Sequence, residues 1–131
     1  MSADRYPEGL RYTREHEWIR AEGEQGTVGV TWFAQDQLGD VVFVEVPAVG
    51  SRLTRHEPFG VVESVKTVSD LYAPVNGEVV AVNEELESRP ELVNEDPYGQ
   101  GWLVKVRIDD PAELDDLLDA AAYRDLVEGS D

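Results

Sequence analysis

The stretch Gly60-Val-Val-Glu-Ser-Val-Lys-Thr-Val-Ser-Asp-Leu-Tyr-Ala-Pro74 decides the fold. Residues 59–65 are rich in Val and Phe and residues 68–72 carry Val, Leu and Tyr, so both arms read as β-strands. Strands this close in sequence pair through a tight reversal, which leaves Lys66 at or beside a hairpin tip, standing in solvent. Lysine is scarce in this chain: of 11 basic residues, only Lys66 and Lys105 are lysines. Lys105 falls in Trp102-Leu-Val-Lys-Val-Arg-Ile108. Strand alternation there puts Leu103, Lys105 and Arg107 on a solvent face and Trp102, Val104, Val106 and Ile108 on the other. A lone turn lysine ordinarily does no more than solubilise, but the residues around Lys66 point further.

Composition sets the outer limits. A chain of 131 residues suits one domain, which buries roughly two-thirds of its unfolded surface. No apolar run approaches the length of a membrane span, and residues 1–7 hold no apolar stretch of the secretory-signal kind. The absence of cysteine excludes disulfides and thiolate metal sites. A net charge of -17, from 28 acidic against 11 basic residues, argues against nucleic acid and anionic membranes as partners. The excess serves solubility, and it also suits steering toward partners with basic docking faces. His16 and His56 are isolated in sequence and make neither a metal-ligand spacing nor a triad. With no nucleophile–base cluster and no Gly-rich phosphate loop, no catalytic residue is assigned.

In chain order, residues 10–20 predict two short strands around a polar turn at residues 13–16. Residues 26–31 form another strand. Thr31 then caps a helix over residues 32–38, which Gly39 stops in the left-handed region. Residues 40–46 read as a strand of a buried sheet closed by Pro47. Asn76-Gly77 is the strongest reversal signal in the sequence, and residues 78–82 alternate as the next strand. Ser88-Arg-Pro-Glu91 matches a capping box that opens a helical turn over residues 92–94. Asp110-Pro-Ala-Glu113 matches another, with Pro at the first helical position and an apolar stripe of Leu114, Leu117 and Leu118. Asp119 caps a last helical segment over residues 120–127, whose Tyr123 and Leu126 pack back on the body. A weak internal repeat, in which Gly26-Thr-Val-Gly-Val and Gly77-Glu-Val-Val-Ala each precede a helical excursion and another strand, suggests a quasi-symmetric, barrel-like sandwich.

Glu63-Ser-Val-Lys-Thr67 and Ser69-Asp-Leu-Tyr-Ala-Pro74 together resemble the lipoyl-attachment hairpin of the glycine cleavage system H protein family. Tyr12-Thr-Arg-Glu-His-Glu-Trp18, Gln37-Leu-Gly-Asp-Val-Val-Phe-Val44, Pro90-Glu-Leu-Val-Asn94, Asp96-Pro-Tyr98 and Gly101-Trp102 resemble further blocks of that family, in its order. The likeness spans roughly residues 10–126, far more than a short motif offers. It implies a mainly β fold, the barrel-sandwich hybrid of lipoyl and biotinyl domains, with short helices and a C-terminal helical segment. The whole chain, 1–131, is then one lipoyl-carrier domain with a core at about 10–109 and helical residues at about 110–128. It implies lipoate in amide linkage to Lys66, with Glu63, Ser64, Val65 and Thr67 read by the lipoyl- or octanoyl-attaching enzyme. It also implies that Glu17, helped by Asp70, receives the loaded arm, since a carboxylate suits an amine-bearing cargo.

Besides the attaching enzyme, the partners implied are three. Glycine decarboxylase, the P-protein, passes an aminomethyl group to the arm. The aminomethyltransferase, or T-protein, takes its carbon to tetrahydrofolate, and dihydrolipoyl dehydrogenase, the L-protein, restores the disulfide. The expected compartment is the bacterial cytoplasm, with a mature mitochondrial form as the other reading. Val65-Lys66-Thr67 differs from the Met-Lys-Met typical of biotin carriers, and lipoyl domains of 2-oxo acid dehydrogenases usually carry Asp before the lysine. A lipoyl donor for other proteins and an unmodified interaction module remain the alternatives. One departure stands out: Trp32 and Phe33 occupy positions where the family commonly has Asp and then an aromatic, which predicts altered local packing.

Overall fold

Alternating apolar and polar residues build two antiparallel sheets. The computed structural model describes residues 5–129; residues 1–4, part of the stretch read as lacking a signal, and 130–131 lie outside the described part. The elements are β1 (Arg11–Tyr12), β2 (Glu17–Glu22), β3 (Gln25–Val30), α1 (Trp32–Leu38), β4 (Val41–Glu45), β5 (Arg52–Leu53), β6 (Pro58–Ser64), β7 (Val68–Tyr72), β8 (Gly77–Val82), α2 (Glu85–Ser88), α3 (Leu92–Glu95), β9 (Val104–Ile108), a 3-10 helix (Pro111–Asp116) and α4 (Ala120–Glu128). Six strands are ordered β1-β2-β3-β9-β8-β5, and three are ordered β4-β6-β7. The chain is thus mainly β, a barrel-sandwich of two sheets with short helices and a C-terminal helix.

Three apolar clusters fill it. Ile19, Val28, Val79, Val104 and Val106 meet Ala73, Val75 and Leu117 inside the six-stranded sheet. Val62 and Leu71 of the hairpin strands meet Val30, Leu38, Val41, Leu92 and Leu103 in a second cluster. Tyr12 and Trp18 meet Tyr6, Ala120 and Tyr123 in a third, which seats α4 against β1 and β2. Close approach is built into the sequence here, because a Cβ at Gly29 would stand 2.6 Å from Trp18 Cζ2. The indole fills the space that glycine leaves.

Several sequence expectations hold. Thr31 caps α1 by accepting from the Ala34 N–H (3.1 Å), and Asp119 caps α4 by accepting from the Ala122 N–H (2.8 Å). The two repeat segments, β3 and β8, flank β9 in one sheet, although the strands after their helical excursions, β4 and β9, lie in different sheets.

Other expectations are corrected. β4 is fully buried only at Val41: it lies at the edge of the three-stranded sheet, and a register shift between Val41 and Phe43 leaves Val42 and Phe43 exposed. Asn76-Gly77 makes no tight hairpin, since neither residue has positive φ and β7 and β8 belong to different sheets. The chain crosses between sheets there, fixed by Glu113, which accepts from the Asn76 N–H (2.8 Å) and side-chain amide (2.6 Å). Gly39 stops α1 at φ 79, ψ -158, a region outside αL that is essentially open to glycine alone. Ser88 closes α2 and does not open α3, whose first residues have no side-chain cap. Asp110 does cap its helix, by accepting from the Ala112 N–H (3.1 Å), but that helix is 3-10. Leu103 precedes β9 and is fully buried, and Trp102 is only partly covered; Lys105 instead reaches back toward the Trp102 ring (5.2 Å).

Candidate functional site

β6 and β7 run antiparallel with Glu63 opposite Val68, and residues 65–67 turn between them. Ser64 shapes that turn. It is buried; its hydroxyl accepts from the Lys66 N–H (3.2 Å) and the Thr67 N–H (3.1 Å) and donates to the Thr67 carbonyl (3.3 Å). The Ser64 N–H also donates to that carbonyl (2.8 Å), and the Val65 N–H donates to the Asp40 carbonyl (3.0 Å), tying the tip to the start of β4. Val65, Lys66 and Thr67 are left exposed. The Lys66 side chain lies over Gly39, where a Cβ would stand 3.4 Å from its Cε.

Beside the tip runs a groove of about 260 Å³ between α1, β7 and the turn before β2. Val30, Phe33, Ala34, Leu38, Val62 and Leu71 supply its apolar wall, and Thr67, Asp70, Glu15, His16 and Glu17 its polar part. Glu17, 1% exposed, accepts from the Thr13 hydroxyl (2.6 Å) and from the Tyr72 N–H (3.0 Å). Burial pushes its carboxyl up to about 8 from an ordinary 4.5, against those two donors, which favour the ionised form. Thr13 in turn accepts from the Glu15 and Glu17 N–H groups, both at 3.1 Å. One carboxylate therefore joins the turn before β2 to the root of the hairpin.

The groove gathers Glu17, Asp70 and Thr67, whereas Glu63 lies off it on the outer side of the hairpin sheet. Sequence reasoning set His16 aside, yet its ring lines the groove, packs at a tilt against Phe33 (4.7 Å between centroids) and shares a hydrogen bond with the Tyr123 hydroxyl (2.7 Å). Tyr123 continues to Thr31 (2.7 Å), so α4 holds the cap of α1 and the wall of the groove together. Burial lowers the His16 imidazole below its usual range, with Glu15 opposing. The Thr13-to-Glu17 spacing in a polar turn was the available sequence signal for the floor; nothing in sequence marks the pairing of His16 with Tyr123. At the Trp32-Phe33 departure, Phe33 walls the groove and Trp32 carries the Arg5 guanidinium (3.8 Å).

Among the described residues no three His, Cys, Asp or Glu side chains are placed to hold a metal ion, and no helix is long and apolar enough to cross a membrane.

A two-sheet barrel-sandwich that presents one lysine on a hairpin tip defines the class of swinging-arm carrier domains. Comparison with known proteins narrows the class. The glycine cleavage H-protein family model matches residues 10–130. The chain is 68% identical over 117 residues to the glycine cleavage system H protein of Symbiobacterium thermophilum, covering 89% of this chain and 91% of that one. It is 59% identical over 128 residues to the probable glycine cleavage system H protein of Haloarcula marismortui, covering 98% and 100%. A crystal structure of a glycine cleavage system H protein from Mycobacterium marinum superposes with a TM-score of 0.80 at 41% identity, covering 90% of this chain and 95% of that one. The chain belongs to the glycine cleavage H-protein family.

Proposed function

We propose that the chain is one lipoyl-carrier domain of glycine cleavage, with lipoate in amide linkage to Lys66 and no catalytic centre of its own. The observation that carries this reading is the placement of Lys66 on an exposed, Ser64-shaped tip beside an apolar groove with a buried carboxylate at its floor. The donor set fits the group: an aliphatic chain suits Val30, Phe33, Leu38 and Leu71, and a cationic amine suits Glu17 and Asp70. When bound, lipoate supplies a disulfide that accepts the aminomethyl group and two electrons.

The rest is done by this chain. Lys66 gives reach, on the order of 10 Å or more from the tip. The groove wall excludes water from a hydrolysable adduct. A cation brought to Glu17 lowers its pKa, so the carboxyl ionises as the cargo enters. Glu63, Ser64, Val65 and Thr67 present the lysine to the attaching enzyme. The partners are the P-, T- and L-proteins, in the cytoplasm. Intact mass and peptide mapping after expression in a lipoate-competent host test the reading. A lipoyl increment on the Lys66 peptide, lost in Lys66→Arg, is expected; an unmodified Lys66 in a host that lipoylates its own proteins overturns it.

A further inference from the structure

The three-stranded sheet has an outer face turned away from the core, and the groove borders it only along β7, at Val68 and Asp70. Its register sets Phe43, Glu63 and Val68 in one cross-strand row, and Glu45, Val61 and Asp70 in the next. Directly opposed residues share a face, and the alternate residue Val62 is the one turned into the core. Phe43 is 50% and Val68 62% exposed. Single exposed apolar residues are ordinary, but Phe43 and Val68 flanking Glu63 in one row beside the lysine tip mark a contact surface. The two rows hold three carboxylates and no cation.

We propose that this face docks the enzyme that acylates Lys66, through Phe43 and Val61 set between Glu45 and Glu63. The inference rests on the carrier reading. Charge complementarity requires a partner recess that is apolar and ringed by Arg or Lys. Distance selects the acylating enzyme over those that handle the arm's far end. Its reaction takes place at Nζ, three positions beyond Glu63, whereas the far end is on the order of 10 Å away. Phe43, Glu45, Val61 and Glu63 do not line the groove, so this part of the face is open whatever the groove holds. In the reaction an acyl-adenylate, made from lipoate and ATP with loss of pyrophosphate, forms an amide with Nζ; AMP leaves and Nζ gives up a proton.

The test uses a purified lipoate-attaching enzyme with lipoate and ATP, following mass gain on the full chain at several salt concentrations. Phe43→Ser should lower kcat/KM about tenfold through KM, with kcat kept. Glu45→Gln should lower it about threefold and flatten its salt dependence. Val49→Ser, an exposed apolar residue beyond the far end of β4, should match the unaltered chain. Melting curves check folding, and the salt dependence of Glu45→Gln decides if Phe43→Ser is unstable. Variants that match the unaltered chain, or that lose kcat alone, overturn the docking face while leaving the carrier reading intact. Failure of the unaltered chain to gain lipoyl mass overturns both.

Discussion

At the lysine tip, Ser64 bonds residues two and three positions away, whereas at the groove floor Glu17 bonds Tyr72, 55 positions away, and His16 bonds Tyr123, 107 positions away. The tip is largely a local device whose lysine is left in water: apart from the tie of the Val65 N–H to Asp40, its shape follows from a few adjacent residues. The floor is a tertiary device, in which a carboxyl is taken out of water and its cost offset by donors from two separate elements. The difference teaches why change should cost more stability at the floor than at the tip. A tip needs only to present its lysine, while a floor must keep a buried polar group satisfied before any cargo arrives.

Breaking the floor should have the largest effect. Glu17→Ala strands the Thr13 hydroxyl and the Tyr72 N–H and opens a void between β2 and β7, so a loss of about 3 kcal/mol is expected in denaturant unfolding. A loss no greater than that of an exposed substitution would mean that the floor is not what anchors the hairpin root.

The charge state of Glu17 gives a second handle. Its folded pKa is raised from 4.5 to about 8. Below 4.5 both folded and unfolded chains hold the proton and the contribution is fully present. Between 4.5 and about 8 the unfolded chain releases it first, so stability falls as pH rises, at up to ~1.4 kcal/mol per pH unit from this one group. Glu17→Gln, which cannot ionise, should remove that part of the slope. Identical unfolding profiles for both chains from pH 5 to 8 would remove the buried carboxyl from the account.

Ser64→Ala sharpens the contrast from the other side. It deletes the side-chain bonds that shape the tip, so a smaller destabilisation of about 1 kcal/mol is expected. The rate at which Lys66 gains lipoyl mass should fall by a larger proportion than the stability does. If stability fell as far as in Glu17→Ala while the lipoylation rate held, the division between presenting tip and anchoring floor would collapse.

Much of this was legible in the chain itself. Val-rich arms around Lys66, the Thr31 and Asp119 caps and the alternation of residues 104–108 are short-range signals, and period and capping chemistry act over a few residues. The same reasoning failed where a partner far along the chain decides the outcome. The apolar run of β4 reads as buried, but its position at a sheet edge and its register shift expose Val42 and Phe43. Asn76-Gly77 reads as a tight reversal, but the carboxylate of Glu113, set 37 positions later, holds that segment as a crossing between sheets. His16 reads as an idle turn residue until α4 brings Tyr123 to its ring. By itself, then, the sequence determined the main strands, the Thr31 and Asp119 caps and which lysine stands on a hairpin tip, because backbone propensity and side-chain period are local. Only the tertiary structure decided which carboxyl is buried, which ring walls the groove and which sheet face stays open, because desolvation and packing depend on what arrives from elsewhere in the chain.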